Sequence, residues 1–194
     1  DSLTTVTARQ LEETVDRSLA RLGVERVDML QFAWWDTKRG DYIAAARTYA
    51  DIVKRGKARY LGGINFLTTE IKAMLDAGIP LVSHQIQYSI VDDRPERSGH
   101  VDLCLRHGIK LTCYGVVAGG FISERYLGVP EPGEPFANRS LRKYKLIIDD
   151  FGGWDLFQEL LRALKRVGDR HRTSIANVAM RYILDKPAVA SVII

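Results

Sequence analysis

Val27-Asp28-Met29-Leu30-Gln31-Phe32-Ala33-Trp34-Trp35 is a nearly continuous apolar run. A strand covered on both faces reads this way, because neither face calls for alternating polar residues. The flanks carry a different period. Before the run, residues 7–22 predict a helix: Thr7 and Gln10 form a capping box, Leu11, Val15, Leu19 and Leu22 share one face, and Gly23 ends it. After the run, residues 41–55 predict a second helix, closed by Gly56. The alternation continues outward. Residues 58–66, 81–88, 109–116 and 190–194 read as strands, and residues 68–77, 99–107, 140–148, 154–171 and 175–186 as helices. The Pro- and Gly-rich stretch 128–138 reads as a loop. Strands alternating with helices over short connections imply parallel strands and crossover helices, an α/β fold. A doubly wound sheet and a barrel both satisfy the pattern. A Rossmann nucleotide site would place G-x-G-x-x-G after the first strand, and none stands there.

The 194 residues are enough for one domain, 1–194, with its own core. Hydrophobic residues at 46% and charged residues at 27% are ordinary for a soluble globular chain. The net charge of +4 is mild and no Lys/Arg-rich run is present, so nucleic acid is not an expected partner. No apolar stretch approaches the ~20 residues of a membrane helix. Asp1-Ser2-Leu3-Thr4-Thr5 lacks the basic and apolar regions of a signal peptide. Cys104 and Cys113 sit in apolar patterns and read as buried hydrophobes in a reducing compartment, hence a cytoplasmic location. His84, His100, His107 and His171 form no H-x-x-x-H pair, so metal catalysis is not expected.

Several segments fall in a recognisable order. Ser18 to Val24 (S-L-A-R-L-G-V) leads into Val27 to Gln31 (V-D-M-L-Q), and Gly56-Lys57-Ala58-Arg59-Tyr60-Leu61-Gly62 leads into Ile64-Asn65-Phe66. Gln85-Ile86-Gln87-Tyr88-Ser89, Arg94-Pro95-Glu96 and Tyr114-Gly115-Val116-Val117-Ala118-Gly119-Gly120 follow. Together these resemble the aldo-keto reductases, NAD(P)H-dependent carbonyl reductases on a (β/α)8 TIM-type barrel. The resemblance implies strands four to eight, a partial barrel of about five parallel strands. It implies that Asn65 and Gln85 bind the nicotinamide carboxamide, for which an amide side chain offers both donor and acceptor. It implies that Tyr114 stacks on the nicotinamide ring, and that Gly115, Val117, Gly119 and Gly120 belong to a loop wrapping the pyrophosphate. Trp34, Trp35 and Tyr88, with Phe32, would wall the pocket of a small-molecule carbonyl substrate. NADP(H), ahead of NAD(H), is the expected cofactor. Plain structural roles stay open beside these: a turn for Asn65, a backbone-satisfied polar group for Gln85, core packing for Tyr114, and a tight turn for Gly119-Gly120.

The sequence departs from the family pattern at three positions. Ala33 stands where the family usually has a histidine that polarises the substrate carbonyl, and alanine cannot donate to a developing alkoxide. Ile64 and Gly115 each replace a serine, a loss of about 1 kcal/mol of hydrogen bonding apiece. The family's catalytic Asp, Tyr and Lys lie on its second and third strands, which have no counterpart here. Five parallel strands do not close an eight-stranded barrel. The strands near Val27 and Ala190 are therefore expected as open edges, completed by further segments or by a second copy. The activity expected is carbonyl–alcohol interconversion. The alternatives are a lyase, isomerase or cyclase on the same scaffold, or a catalytically inactive cofactor-binding protein.

Overall fold

A computed structural model describes residues 2–194. Five strands, β1 (Val27–Ala33), β2 (Ala58–Ile64), β3 (Leu81–Gln87), β4 (Lys110–Tyr114) and β5 (Val189–Ile193), form one sheet in sequence order. The helices are α1 (Ser2–Thr5), α2 (Ala8–Leu22), α3 (Tyr42–Lys54), α4 (Thr68–Asp76), α5 (Arg94–Arg97), α6 (His100–Arg106), α7 (Arg139–Phe151), α8 (Gly153–His171) and α9 (Ile175–Leu184). The pairs β1–β2, β2–β3 and β4–β5 are parallel. This is the expected α/β architecture. The short helices α1 and α5 were not expected; α5 begins at Arg94-Pro95, where proline's fixed φ suits a first turn.

The chain divides into two compact units. One comprises residues up to Ile86 with Asp102–Lys110, the other Gln87–Val101 with Leu111–Ile194. In the first, the capping box of α2 is present: the Gln10 amide donates to Thr7 Oγ1 at 3.3 Å and the Thr7 amide donates to Gln10 Oε1 at 2.8 Å. Val15, Leu19 and Ile52 pack with Val27, Leu30 and Tyr49, joining α2 and α3 to β1. Glu12 accepts from Arg55 at 2.8 and 3.0 Å and from Lys57 at 2.8 Å, which hold its carboxyl down to about 2. That network fastens α2 to the entry of β2.

β1 corrects one expectation. It is not covered on both faces: of its residues Phe32 is buried, Val27, Met29 and Leu30 are half-buried, and Asp28, Gln31 and Ala33 are exposed. Among the described residues it stands at the end of the sheet with β2 as its partner, the open edge expected near Val27. It also stops at Ala33, two residues short of the apolar run. The Trp34 indole N–H donates to the carbonyls of Asp36 at 3.1 Å and Arg39 at 2.9 Å, which turns the chain into a loop.

The second unit is built on α7, α8 and α9. Phe121, Tyr144, Ile148, Trp154, Phe157, Leu161, Ile175 and Ala179 belong to one buried cluster. The loop before α7 is pinned to α8. Trp154 Nε1 donates to the Val129 carbonyl at 3.0 Å, the Gly128 amide donates to Gln158 Oε1 at 2.7 Å, and Gln158 Nε2 donates to the Tyr126 carbonyl at 2.8 Å. Cys104 and Cys113 are both buried, one in each unit, and burial pushes the Cys104 thiol up to about 12. Among the described residues no helix is long and apolar enough to cross a membrane.

Candidate functional site

Parallel strands end side by side, so residues at equivalent register share one rim. In the first unit Ala33 lies opposite Ile64, and Ile64 opposite Gln85. Ala33 is exposed and Gln85 half-buried. Asn65 follows β2 directly with φ 58°, a left-handed conformation that asparagine tolerates better than most residues. That turn aims its amide N–H at the Gln85 carbonyl, 3.0 Å away. Two carboxamide side chains therefore stand on adjacent strand ends. The chemistry of that donor set matches a ligand carboxamide.

The loops leaving this rim are tied together. Glu70 accepts from the Leu67 amide at 2.7 Å and from the Thr37 hydroxyl, which links the β1–α3 loop to the start of α4. Below the rim the Phe32 ring lies 5.2 Å from Phe66 and 5.4 Å from Tyr49. The Phe66 amide donates to Nε2 of fully buried His84 at 3.1 Å, so that nitrogen carries no proton. Trp34 is half-buried and bonded to its own loop, whereas Trp35 is 93% exposed.

The second unit carries the other expected residues. Tyr114 ends β4, half-buried, and its carbonyl accepts from the Tyr88 amide at 3.2 Å. Tyr88 is buried, and its hydroxyl donates to Glu96, which also pairs with Lys186 at 2.8 Å. Burial, then the Glu96 carboxylate, push the Tyr88 phenol well above its ordinary value. After Tyr114 the chain turns through Gly115 at φ 73°, Ala118 at 47°, Gly119 at 63° and Gly120 at 98°. The amides of Ala118, Gly120, Phe121 and Ile122 donate to carbonyls of the same loop, and the Val117 carbonyl accepts two of them. A Cβ on Gly115 would lie 2.9 Å from Tyr144, and one on Gly119 2.6 Å from the same ring; one on Gly120 would meet nothing within 4 Å. Gly115 and Gly119 thus make room for Tyr144, and Gly120 keeps open space.

Sequence reasoning did not find the charged group beside this loop. Asp92, 2% exposed at its side chain, accepts from Arg94 at 2.7 and 2.6 Å and from Gln87 Nε2 at 2.6 Å. Burial raises the Asp92 carboxyl, but the bonds from Arg94 and Gln87 outweigh it and leave it below its ordinary value. Lys143 on α7 places its ammonium 4.3 Å from the Tyr144 ring centre and 5.1 Å from that of Tyr114. The Asp92–Arg94 pairing is visible as opposite charges two residues apart in a turn. Nothing in sequence spacing links Lys143 to Tyr114.

This succession of parallel strands, with amide, aromatic and glycine residues at their carboxyl ends, fits part of a TIM-type barrel. Residues 3–194 match the aldo/keto reductase family, and the chain belongs to it. Flagellar radial spoke protein 5 of Chlamydomonas reinhardtii is 29% identical over 182 residues, covering 83% of this chain and 34% of that protein. L-glyceraldehyde 3-phosphate reductase of Escherichia coli K12 is 25% identical over 195 residues, covering 96% of this chain and 54% of that enzyme. The holo form of an aldo-keto reductase from Bacillus halodurans superposes with a TM-score of 0.69 at 25% identity, covering 96% of this chain and 54% of that one. A glycerol dehydrogenase from Gluconobacter oxydans shares the fold with a TM-score of 0.79 at 20% identity, over 95% of this chain and 54% of its own. The chain thus spans about half the length of these reductases and about a third of the spoke protein.

Proposed function

We propose that this chain carries part of the cofactor site of an NAD(P)H-dependent oxidoreductase that interconverts a small-molecule carbonyl and its alcohol. The observation that carries the reading is the pair of amide side chains, Asn65 and Gln85, on neighbouring strand ends of an aldo/keto reductase fold. A bound nicotinamide dinucleotide supplies a hydride to a carbonyl carbon and accepts one in the reverse reaction. Asn65 and Gln85 would orient the carboxamide, Tyr114 would cover a ring face, and the loop of Gly115, Val117, Gly119 and Gly120 would face the pyrophosphate. Trp34, Trp35 and Tyr88 are the substrate-wall residues of this reading. NADP(H) is preferred to NAD(H), and two buried cysteines in apolar surroundings suit a reducing compartment such as the cytoplasm.

The test is calorimetric titration with NADPH and NADH, followed by nucleotide oxidation with a panel of aldehydes and ketones. Tyr114→Ala should weaken nucleotide binding about 5- to 150-fold through lost stacking area. An unchanged dissociation constant would assign Tyr114 to packing alone. In a polypeptide that also supplies the family's catalytic Asp, Tyr and Lys, Ala33→His should raise kcat about 10- to 1000-fold, the contribution of one donor to the developing alkoxide.

Ala33 also favours a second reading, in which the cleft binds nucleotide without reducing a carbonyl. The Chlamydomonas relative is named for a flagellar spoke, not a reaction. Tight NADPH binding with no oxidation across the panel decides for it. Substrate turnover without net nucleotide oxidation decides instead for a lyase, isomerase or cyclase.

A further inference from the structure

Lys143 stands out among the charges of the second unit. Its ammonium lies over two tyrosine rings, 4.3 Å from the centre of Tyr144 and 5.1 Å from that of Tyr114. Among the described residues it makes no salt bridge. The buried carboxylate that acts on it, Asp92, is already held by both nitrogen arms of Arg94, and the two act on Lys143 with opposite signs. One uncompensated positive charge therefore rests on one face of Tyr114. A planar ligand that stacks on Tyr114 must take the other face.

We infer that Lys143 biases the site toward the reduced form of the nicotinamide, by placing a positive charge across the Tyr114 ring from where the cofactor ring stacks. This rests on the nicotinamide reading above. The nicotinamide ring is neutral when reduced and carries one positive charge when oxidised. A cation on the far face of Tyr114 leaves the reduced ring almost untouched and repels the oxidised one. The ammonium is 5.1 Å from the Tyr114 centre, and a stacked ring lies about 3.5 Å beyond it, so the two charges are about 8–9 Å apart. At an effective dielectric between about 20 and 40 for a site near the surface, that separation corresponds to about 5- to 30-fold in affinity. Such a bias loads reduced nucleotide and speeds departure of the oxidised product. It makes Lys143 a residue that sets direction without touching the substrate.

The experiment is calorimetric titration of the wild-type protein, Lys143→Met and Lys143→Arg with NADPH, NADP+, NADH and NAD+. Lys143→Met removes the charge and keeps an unbranched side chain; Lys143→Arg keeps the charge and controls for packing. In Lys143→Met the ratio of the oxidised to the reduced dissociation constant should fall about 5- to 30-fold, mostly through tighter binding of the oxidised form. Lys143→Arg should keep the wild-type ratio. An unchanged ratio in Lys143→Met, with wild-type binding intact, overturns this inference and leaves the nicotinamide reading standing. Equal weakening of both forms also overturns it, because Lys143 would then be holding phosphate. Absence of binding of any nucleotide to the wild-type protein overturns the nicotinamide reading and this inference together.

Discussion

Gly119→Ala separates two explanations of the glycine loop. The residue has φ 63°, and a Cβ there would lie 2.6 Å from Tyr144 Cδ2 and 3.1 Å from Cε2. Carbon atoms in good contact are about 3.5–4.0 Å apart, so the ring would have to retreat by about 1 Å. Tyr144 cannot move freely, because it belongs to the buried cluster with Phe121, Ile148 and Trp154. The left-handed backbone costs an alanine about 1–2 kcal/mol, and overpacking a filled core costs a further 1–3 kcal/mol or so. The substitution should therefore destabilise the protein by about 2–5 kcal/mol and lower the urea midpoint by about 1–2 M. In a Tyr144→Leu background the steric part is removed and only the backbone part, about 1–2 kcal/mol, should remain. Urea unfolding of wild type, both single variants and the double variant gives the coupling directly. Equal cost in the two backgrounds would refute the argument that Gly119 exists to admit Tyr144.

Three further outcomes are expected. His100 is 1% exposed, and burial lowers its imidazole from 6.5 to about 4, so the folded protein binds its proton less readily than the unfolded chain; the stability this gives is complete above pH 6.5 and is lost as pH falls toward about 4. The loss is about 3 kcal/mol; unfolding curves at several pH values, with His100→Leu lacking that acid dependence, check it. Gln158→Leu strips the Gly128 amide and the Tyr126 carbonyl of their partners; stability should drop by about 2–4 kcal/mol with faster proteolysis near residues 128–138, and an intact loop would count against the pinning. Thr112 Oγ1 is buried without a hydrogen-bond partner among the described residues; Thr112→Val should raise stability by about 1 kcal/mol, and a fall would show that the hydroxyl is satisfied in solution.

What the sequence made legible follows from its local physics. The capping box of α2, the glycine stops after α2 and at Gly56 and Gly78, and the switch between periods all act within a few residues, so the element order could be read directly. Coverage of a strand's faces could not. Val27 to Trp35 reads as covered on both faces, yet Asp28, Gln31 and Ala33 are exposed, and packing between distant segments decides that. The early end of β1 was hidden for a related reason: the Trp34 indole is spent on two carbonyls of its own loop. For the candidate site, Asn65, Gln85 and Tyr114 are proposed on the resemblance. Lys143 and Tyr144 were not legible, because their contacts with the β4 strand end and its loop join segments far apart in sequence.

The glycines of residues 115–120 show why a motif and a mechanism are different things. Gly115, Gly119 and Gly120 all have positive φ and look equivalent in sequence. Their surroundings divide them. The first two lack a Cβ because Tyr144 occupies that space, so their identity serves the packing of α7 against the loop. Gly120 alone of the three faces open space. Its amide is committed to the Val117 carbonyl, so it offers a ligand close approach to the backbone and not a free donor. A phosphate reaching this loop is thus expected at Gly120. There Ala would be poorly tolerated by ligand and backbone alike, while at Gly115 and Gly119 the constraint comes from inside the fold. A change that relaxed the Tyr144 ring would remove the steric constraint at those two positions, keep the left-handed backbone cost, and leave Gly120 as demanding as before.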